Sequence, residues 1–141
     1  MELSENLSKP QYEMLAAFRY SLRCFIHFSE QAAATIGLTP QQHQAMLAIK
    51  GFPGRNCVTI GELAERLQLR HNSAVGLVDR MVAERLLERE VPSEDRRKVL
   101  IRLSPAAEEK LEKLSAMHRQ ELAQVGPELS GLLERLNMAA R

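Results

Sequence analysis

The sequence predicts a mainly α-helical chain that carries one small two-stranded β-hairpin. Three observations lead there. First, Ser8, Thr39 and Thr59 each stand three residues before Gln11, Gln42 and Glu62. That spacing lets the two side chains satisfy free amides at a helix start reciprocally. Second, apolar residues recur at helical spacing after these starts, most plainly Ile60, Leu63, Ala64 and Leu67 at i, i+3, i+4 and i+7. Third, the segments 87–91 and 99–103 alternate around a Pro-Ser-Glu-Asp turn, the pattern of a hairpin.

The elements follow in order. The first helix spans about 8–36, with Pro10 tolerated in its first turn and Leu15, Phe18, Leu22, Phe25, Ile26 and Ile36 as its apolar stripe. Gly37 stops it, because glycine takes the left-handed cap without penalty. The second helix begins at Pro40, turns Met46, Leu47 and Ile49 inward, and ends at Gly51. "GFPGRN" is a loop by its glycines and proline. A short third helix, about 60–67, carries Ile60, Leu63, Ala64 and Leu67. "QLRHN" breaks the period. A fourth helix, about 72–84, points Ala74, Leu77, Val78 and Met81 inward. After the hairpin, "SPAA" at 104–107 caps a long helix with Leu111, Leu114, Leu122 and Val125. Gly126-Pro127 is expected to break it, leaving a last helix with Leu129, Leu132, Leu133 and Leu136.

The chain has 141 residues, 45% of them apolar and 26% charged, with a formal net charge of +1. That length suits one domain over 1–141, and the composition argues against disorder. A near-neutral balance gives no argument for nucleic acid, so any basic patch must be local. No apolar run approaches the roughly 20 residues of a membrane span. "MELSENLSKPQ" lacks the basic start and apolar run of a signal peptide. Cys24 and Cys57 lie far apart and form no CxxC. These features favour a cytoplasmic, reducing compartment. No metal cluster, cofactor motif, nucleophile–base pair or phosphate loop appears, so an enzyme is the least favoured class.

The middle third reads short helix, turn, helix, hairpin, which is the order of a winged helix-turn-helix. In that arrangement the second helix enters the DNA major groove and the first supports it across the backbone. The outward residues of the 72–84 helix are Asn72, Ser73, Val75, Gly76, Asp79 and Arg80. Asn72 can read a base edge, Ser73 suits a phosphate, Val75 can meet a thymine methyl, and Arg80 can bind phosphate or guanine. Thr59, at the head of the supporting helix, is a further candidate. The hairpin tip carries Asp95, Arg96, Arg97 and Lys98. An arginine there can enter a narrow A·T-rich minor groove, where negative potential concentrates. Arg96 and Lys98 suit phosphates. Asp95 cannot face DNA favourably, so it pairs with Arg97 or a neighbouring cation. The alternative for such a tip is plain charged surface.

"TIGELAERLQLRHNSAVGLVDRMVAERLLERE" followed by "DRRKVLIRLS" resembles the MarR family of bacterial transcriptional regulators. The family's wing signature is an Asp-x-Arg element before a hydrophobic strand ending in Leu-Ser/Thr, here Asp95 and Arg97. The resemblance implies a homodimer joined through helices at about 8–36 and 105–141, with a winged helix-turn-helix over about 39–104. It implies palindromic operator DNA as partner, and repression relieved by a small aromatic or phenolic ligand or by thiol oxidation. By the same resemblance Arg97 is the minor-groove residue and Asp95 its orienting partner. The chain would be bacterial, cytoplasmic and associated with the nucleoid when bound. Two positions depart from the family: Gly76 stands where a polar or basic side chain is common, and Arg85 where glycine often ends the reading helix.

Apolar stripes on the terminal helices have little to cover in one small chain, which agrees with a dimer. Arg19, Arg23 and His27 fall at i, i+4 and i+8 on one helix face, and with His43 they are candidate contacts to a carboxylate or phenolate ligand. The alternative is solvent exposure or structural pairing. Cys24 beside Arg23 is a candidate redox sensor, against the commoner buried structural cysteine, while Cys57 is expected in an exposed loop. His118 reads as a packing or interface residue. The leading function is a dimeric DNA-binding regulator. The alternative is a winged-helix protein-interaction module without specific DNA binding.

Overall fold

The computed structural model describes residues 6–92 and 98–139. Its elements are α1 (Lys9–Thr35), α2 (Pro40–Lys50), β1 (Cys57–Val58), α3 (Ile60–Leu67), α4 (His71–Ala83), β2 (Leu87–Glu90), β3 (Leu100–Leu103) and α5 (Pro105–Ala139). The chain divides into two compact units. One joins the N-terminal stretch through Gln31 to the chain from Ala116 onward; the other is Ala32–Ser115.

The second unit holds the core. Its fully buried side chains include Met46, Ile49, Leu63, Leu77, Met81, Leu87, Ile101 and Leu114, drawn from every helix of that unit and from the sheet. Capping boxes form at both places expected in this unit, Thr39 with Gln42 and Thr59 with Glu62, and Ser8 and Gln11 make the same reciprocal pair at the start of α1. The sheet has three strands, not two, in the order β1-β3-β2. β1 pairs antiparallel with β3 through Cys57–Arg102 and Val58–Ile101, and β2 pairs with β3 from Leu87–Leu103 to Glu90–Leu100. Two residues after a Gly/Pro loop are too few to show alternation, so β1 left no periodic signal. Within β3, Ile101 and Leu103 are buried and Arg102 is exposed, as the alternation predicts. Leu47, expected inward on α2, is instead exposed.

Three helices end in the same way. After α1, α3 and α4 the residues Gly37, Gln68 and Arg85 take positive φ, at 76°, 56° and 61°. In each case the next residue donates its amide back over five positions: Leu38 to Ala33, Leu69 to Ala64 and Leu86 to Met81. This is the Schellman arrangement, which satisfies carbonyls that the helix end leaves open. Glycine adopts it freely. Gln68 and Arg85 do so at a cost of about 1 kcal/mol each.

The expected break at Gly126-Pro127 does not occur: α5 runs through Pro127 without interruption. Proline removes one backbone donor, which leaves the Ala123 carbonyl without its helical partner. A proline ring also disfavours helical geometry at the residue before it, through that residue's Cβ. Here that residue is Gly126, which has no Cβ, so the helix can continue.

The first unit is built differently. Leu132 is its one buried hydrophobic side chain among the described residues. His118 packs edge-on against Phe25 and Phe28, and its Nε2 lies 2.8 Å from the Ser29 hydroxyl, in agreement with a packing role. Tyr12, Leu15, Leu22, Ile26, Leu122, Leu133 and Met138 remain exposed. None of the described helices is long and apolar enough to cross a membrane.

Candidate nucleic-acid interface

The interface is assembled on the second unit by α3, α4 and the β2–β3 hairpin. α3 starts with Thr59, whose hydroxyl accepts from the Glu62 amide at 3.1 Å while the Glu62 carboxylate accepts from the Thr59 amide at 2.9 Å. Arg55, from the "GFPGRN" loop, grips the same carboxylate with two nitrogens. The Thr59 amide, joined by the Arg55 guanidinium, holds Glu62 below the usual glutamate range against the opposing effect of burial. Arg55 and Arg66 both lie over the Phe52 ring, at 4.5 and 4.9 Å from its centroid. This cluster fixes the loop against α3, and it keeps the Thr59 hydroxyl engaged in the cap with only its proton left to offer.

α3 and α4 pack on each other. The turn between them needs the left-handed Gln68. Arg70 then serves as N-cap of α4 with no side-chain cap bond. The first-turn amides of α4 are therefore open, beside exposed His71, Asn72 and Ser73. Ala74, Leu77, Val78 and Met81 are buried, as expected. On the opposite side Asn72, Ser73, Asp79 and Arg80 are exposed, and Val75 and Gly76 are half-buried. A Cβ at Gly76 would meet nothing within 4 Å, so packing inside this chain does not require the glycine.

Asp79 is the one acid in that outward set, and it is engaged: Arg89 of β2 forms an ion pair with it. Period two from buried Leu87 puts Arg89 on the face of the hairpin that meets α4. The pair cancels the charge that would oppose phosphates. Arg102 and Glu90 form a second pair across the hairpin at 3.3 Å. Of the expected wing residues, Lys98 is exposed, while Asp95, Arg96 and Arg97 lie outside the described residues.

The C-terminal end of α4 is tied twice. The Gln42 amide on α2 donates to the Glu84 carboxylate at 2.6 Å, and the Ser104 hydroxyl donates to the Arg85 carbonyl at 2.7 Å. Ser104 also accepts from the Ala107 amide at the head of α5. Sequence reading did not single out Gln42, Arg89 or Arg55 as site residues. The Leu87–Arg89 alternation opposite Asp79 could have revealed the second; the others depend on contacts between distant segments.

The candidate ligand residues are divided between the two units. Arg19 and Arg23 line a groove of about 370 Å³ on α1 with Leu15, Phe18 and Leu22. His27 is exposed outside that lining. His43 is buried in α2 of the second unit. Cys24 is exposed rather than buried, and Cys57 is half-buried in β1 rather than exposed in a loop. A side-chain hydrogen bond with Cys24 pushes the Tyr20 phenol above its usual value.

Comparison with known proteins agrees with this geometry. A family model described as "MarR family" matches residues 36–98. No curated protein matches the chain. The chain is similar in structure to AbsC, a MarR family transcriptional regulator from Streptomyces coelicolor, with a TM-score of 0.74 at 18% identity over 98% of this chain and 94% of that one. It is also similar to RV1404 from Mycobacterium tuberculosis, with a TM-score of 0.73 at 18% identity over 99% and 97%. A mutant MarR from E. coli, complexed with operator DNA, matches with a TM-score of 0.64 at 19% identity over 94% and 99%. At these identities the structural likeness is one of fold. The match to the MarR family model spans residues 36–98, the segment that holds α2, β1, α3, α4 and β2.

Proposed function

We propose that this chain is a homodimeric, sequence-specific DNA-binding transcriptional regulator, in which α4 reads the major groove. The observation that carries the reading is the outer side of α4. It combines an open helix start, exposed Asn72, Ser73 and Arg80, and a single acid already neutralised by Arg89. Open amides and flanking cations suit phosphates, while Asn72, Val75 and Arg80 suit base edges. Thr59 and Lys98 would add phosphate contacts, as would Arg96. Arg97, oriented by Asp95, would enter the minor groove by the family resemblance. The relative from E. coli complexed with operator DNA supports the same partner.

Dimerisation is supported by the thin core of the first unit. Ile26 is 53% exposed and Met138 74%, and Tyr12, Leu15, Leu22 and Ile26 lie at heptad-like spacing on α1. Covering them with a second copy would remove that apolar surface from water. A dimer also sets two reading helices about 34 Å apart for inverted half-sites. Repression relieved by an aromatic acid is the favoured regulation, because Arg19 and Arg23 set two cations over the apolar groove of α1. Thiol oxidation at exposed Cys24 is the second route.

The test is selection of duplexes from a random library, followed by titration of wild type and Arg97→Ala at fixed salt. Enrichment of a palindrome, with affinity lost in the variant, is expected. If no sequence outcompetes bulk DNA, the protein-interaction reading replaces this one. A melting-temperature rise with aromatic carboxylates tests the effector.

A further inference from the structure

We propose that Gln42 is a positioning residue for the reading helix: its side-chain amide holds Glu84, and through it the end of α4, at the orientation that DNA reading requires. The inference rests on the proposed function of α4. Glu84 is the C-cap of α4, where a carboxylate faces the negative end of the helix dipole. Such an acid is unfavourable by local rules, and it is held by the Nε2 of Gln42, which donates to it at 2.6 Å. Gln42 itself is 7% exposed. Its other groups are committed to the start of α2: its amide donates to the Thr39 hydroxyl, and its Oε1 accepts from the Thr39 amide, both at 3.1 Å. One buried side chain thus ties the first turn of α2 to the last turn of α4.

Leverage makes this tie matter. From residue 84 back to Asn72 the helix rises about 18 Å. A tilt of about 5° at the tied end would carry the Asn72 end about 1.6 Å sideways, more than the tolerance of a hydrogen bond to a base edge. Within the second unit, Gln42 lies in the first turn of α2, so the tie joins the start of one helix to the end of another.

The pair can be inverted chemically. Gln42→Glu keeps the capping box, since glutamate serves at that position as well as glutamine, but it sets two carboxylates against each other. Adding Glu84→Gln restores a donor and an acceptor in reversed roles. Wild type, Q42E, E84Q and the double variant are compared on a duplex selected by the wild-type chain and on random-sequence DNA. Amide hydrogen exchange across 80–86 is followed without DNA. The expected result is a roughly tenfold loss of preference for the selected duplex in Q42E, of the size contacting residues reach, and recovery to within about twofold in the double variant. Faster exchange at 80–86 in Q42E should recover in parallel. Unchanged preference in a folded Q42E overturns the proposal, as does a loss that the double variant does not recover. If wild type selects no duplex, the DNA reading falls and takes the positioning role with it. The exchange arm then still reports separately whether the pair holds the helix end.

Discussion

Gly76→Ala separates what α4 needs for folding from what it needs for binding. Glycine in a helix interior costs about 1 kcal/mol relative to alanine, because the unfolded chain has more freedom to lose. At Gly76 nothing in the described chain repays that cost: the added methyl would meet no atom within 4 Å. The substitution is therefore expected to stabilise the protein by about 1 kcal/mol and to raise its melting temperature by about 3 °C. The same methyl projects on the half-buried flank of the outward side, between Val75 and Asp79. If α4 approaches DNA closely there, the methyl intrudes on a packed contact, which costs about 1–3 kcal/mol, or about 5- to 150-fold in affinity. Calorimetry and a titration with the selected duplex at one salt concentration read the two effects. An unchanged melting temperature would refute the helix-propensity argument. Unchanged affinity would show that this flank does not approach DNA closely.

Three other outcomes are expected. Arg85→Gly relieves the left-handed backbone at the end of α4 and should stabilise the fold by about 1 kcal/mol, read by urea unfolding; a destabilised variant would mean that the Arg85 side chain outweighs its backbone strain. Arg89→Ala should change stability by less than about 1 kcal/mol, as exposed pairs do. It should weaken DNA binding, because Asp79 then faces phosphate uncompensated, and adding Asp79→Asn should recover most of the loss in a filter or anisotropy titration. Glu62 has a lowered folded pKa, so its stabilising contribution is present above the unfolded value and disappears as pH falls through the folded one. Thermal melts should show wild type exceeding Glu62→Gln most near pH 7, with the gap closing below about pH 4.

What the chain reveals locally, it reveals well. The capping boxes at Thr39 and Thr59, the buried stripe of α4 and the alternation of β3 all appear where spacing puts them. Each depends on residues within a few positions of one another. Two of the misjudged features show the limit. Gly126-Pro127 looked like a helix break because proline usually is one, yet the missing Cβ of its neighbour leaves the helix open to continue. β1 was invisible because two residues have no period, and it exists by pairing with β3 more than forty residues away.

The sequence by itself determined the helix starts and their caps, the buried and outward sides of α4 and the family resemblance. These follow from side-chain periodicity and from hydrogen bonds that close over three or four residues. Only the tertiary structure decided that Arg89 neutralises Asp79, that Gln42 reaches Glu84 across 42 positions, that Cys24 is exposed, and that the first unit leaves its apolar side chains uncovered. Those are meetings of segments far apart in the chain. Local spacing carries no information about them until packing of the core has brought the segments together.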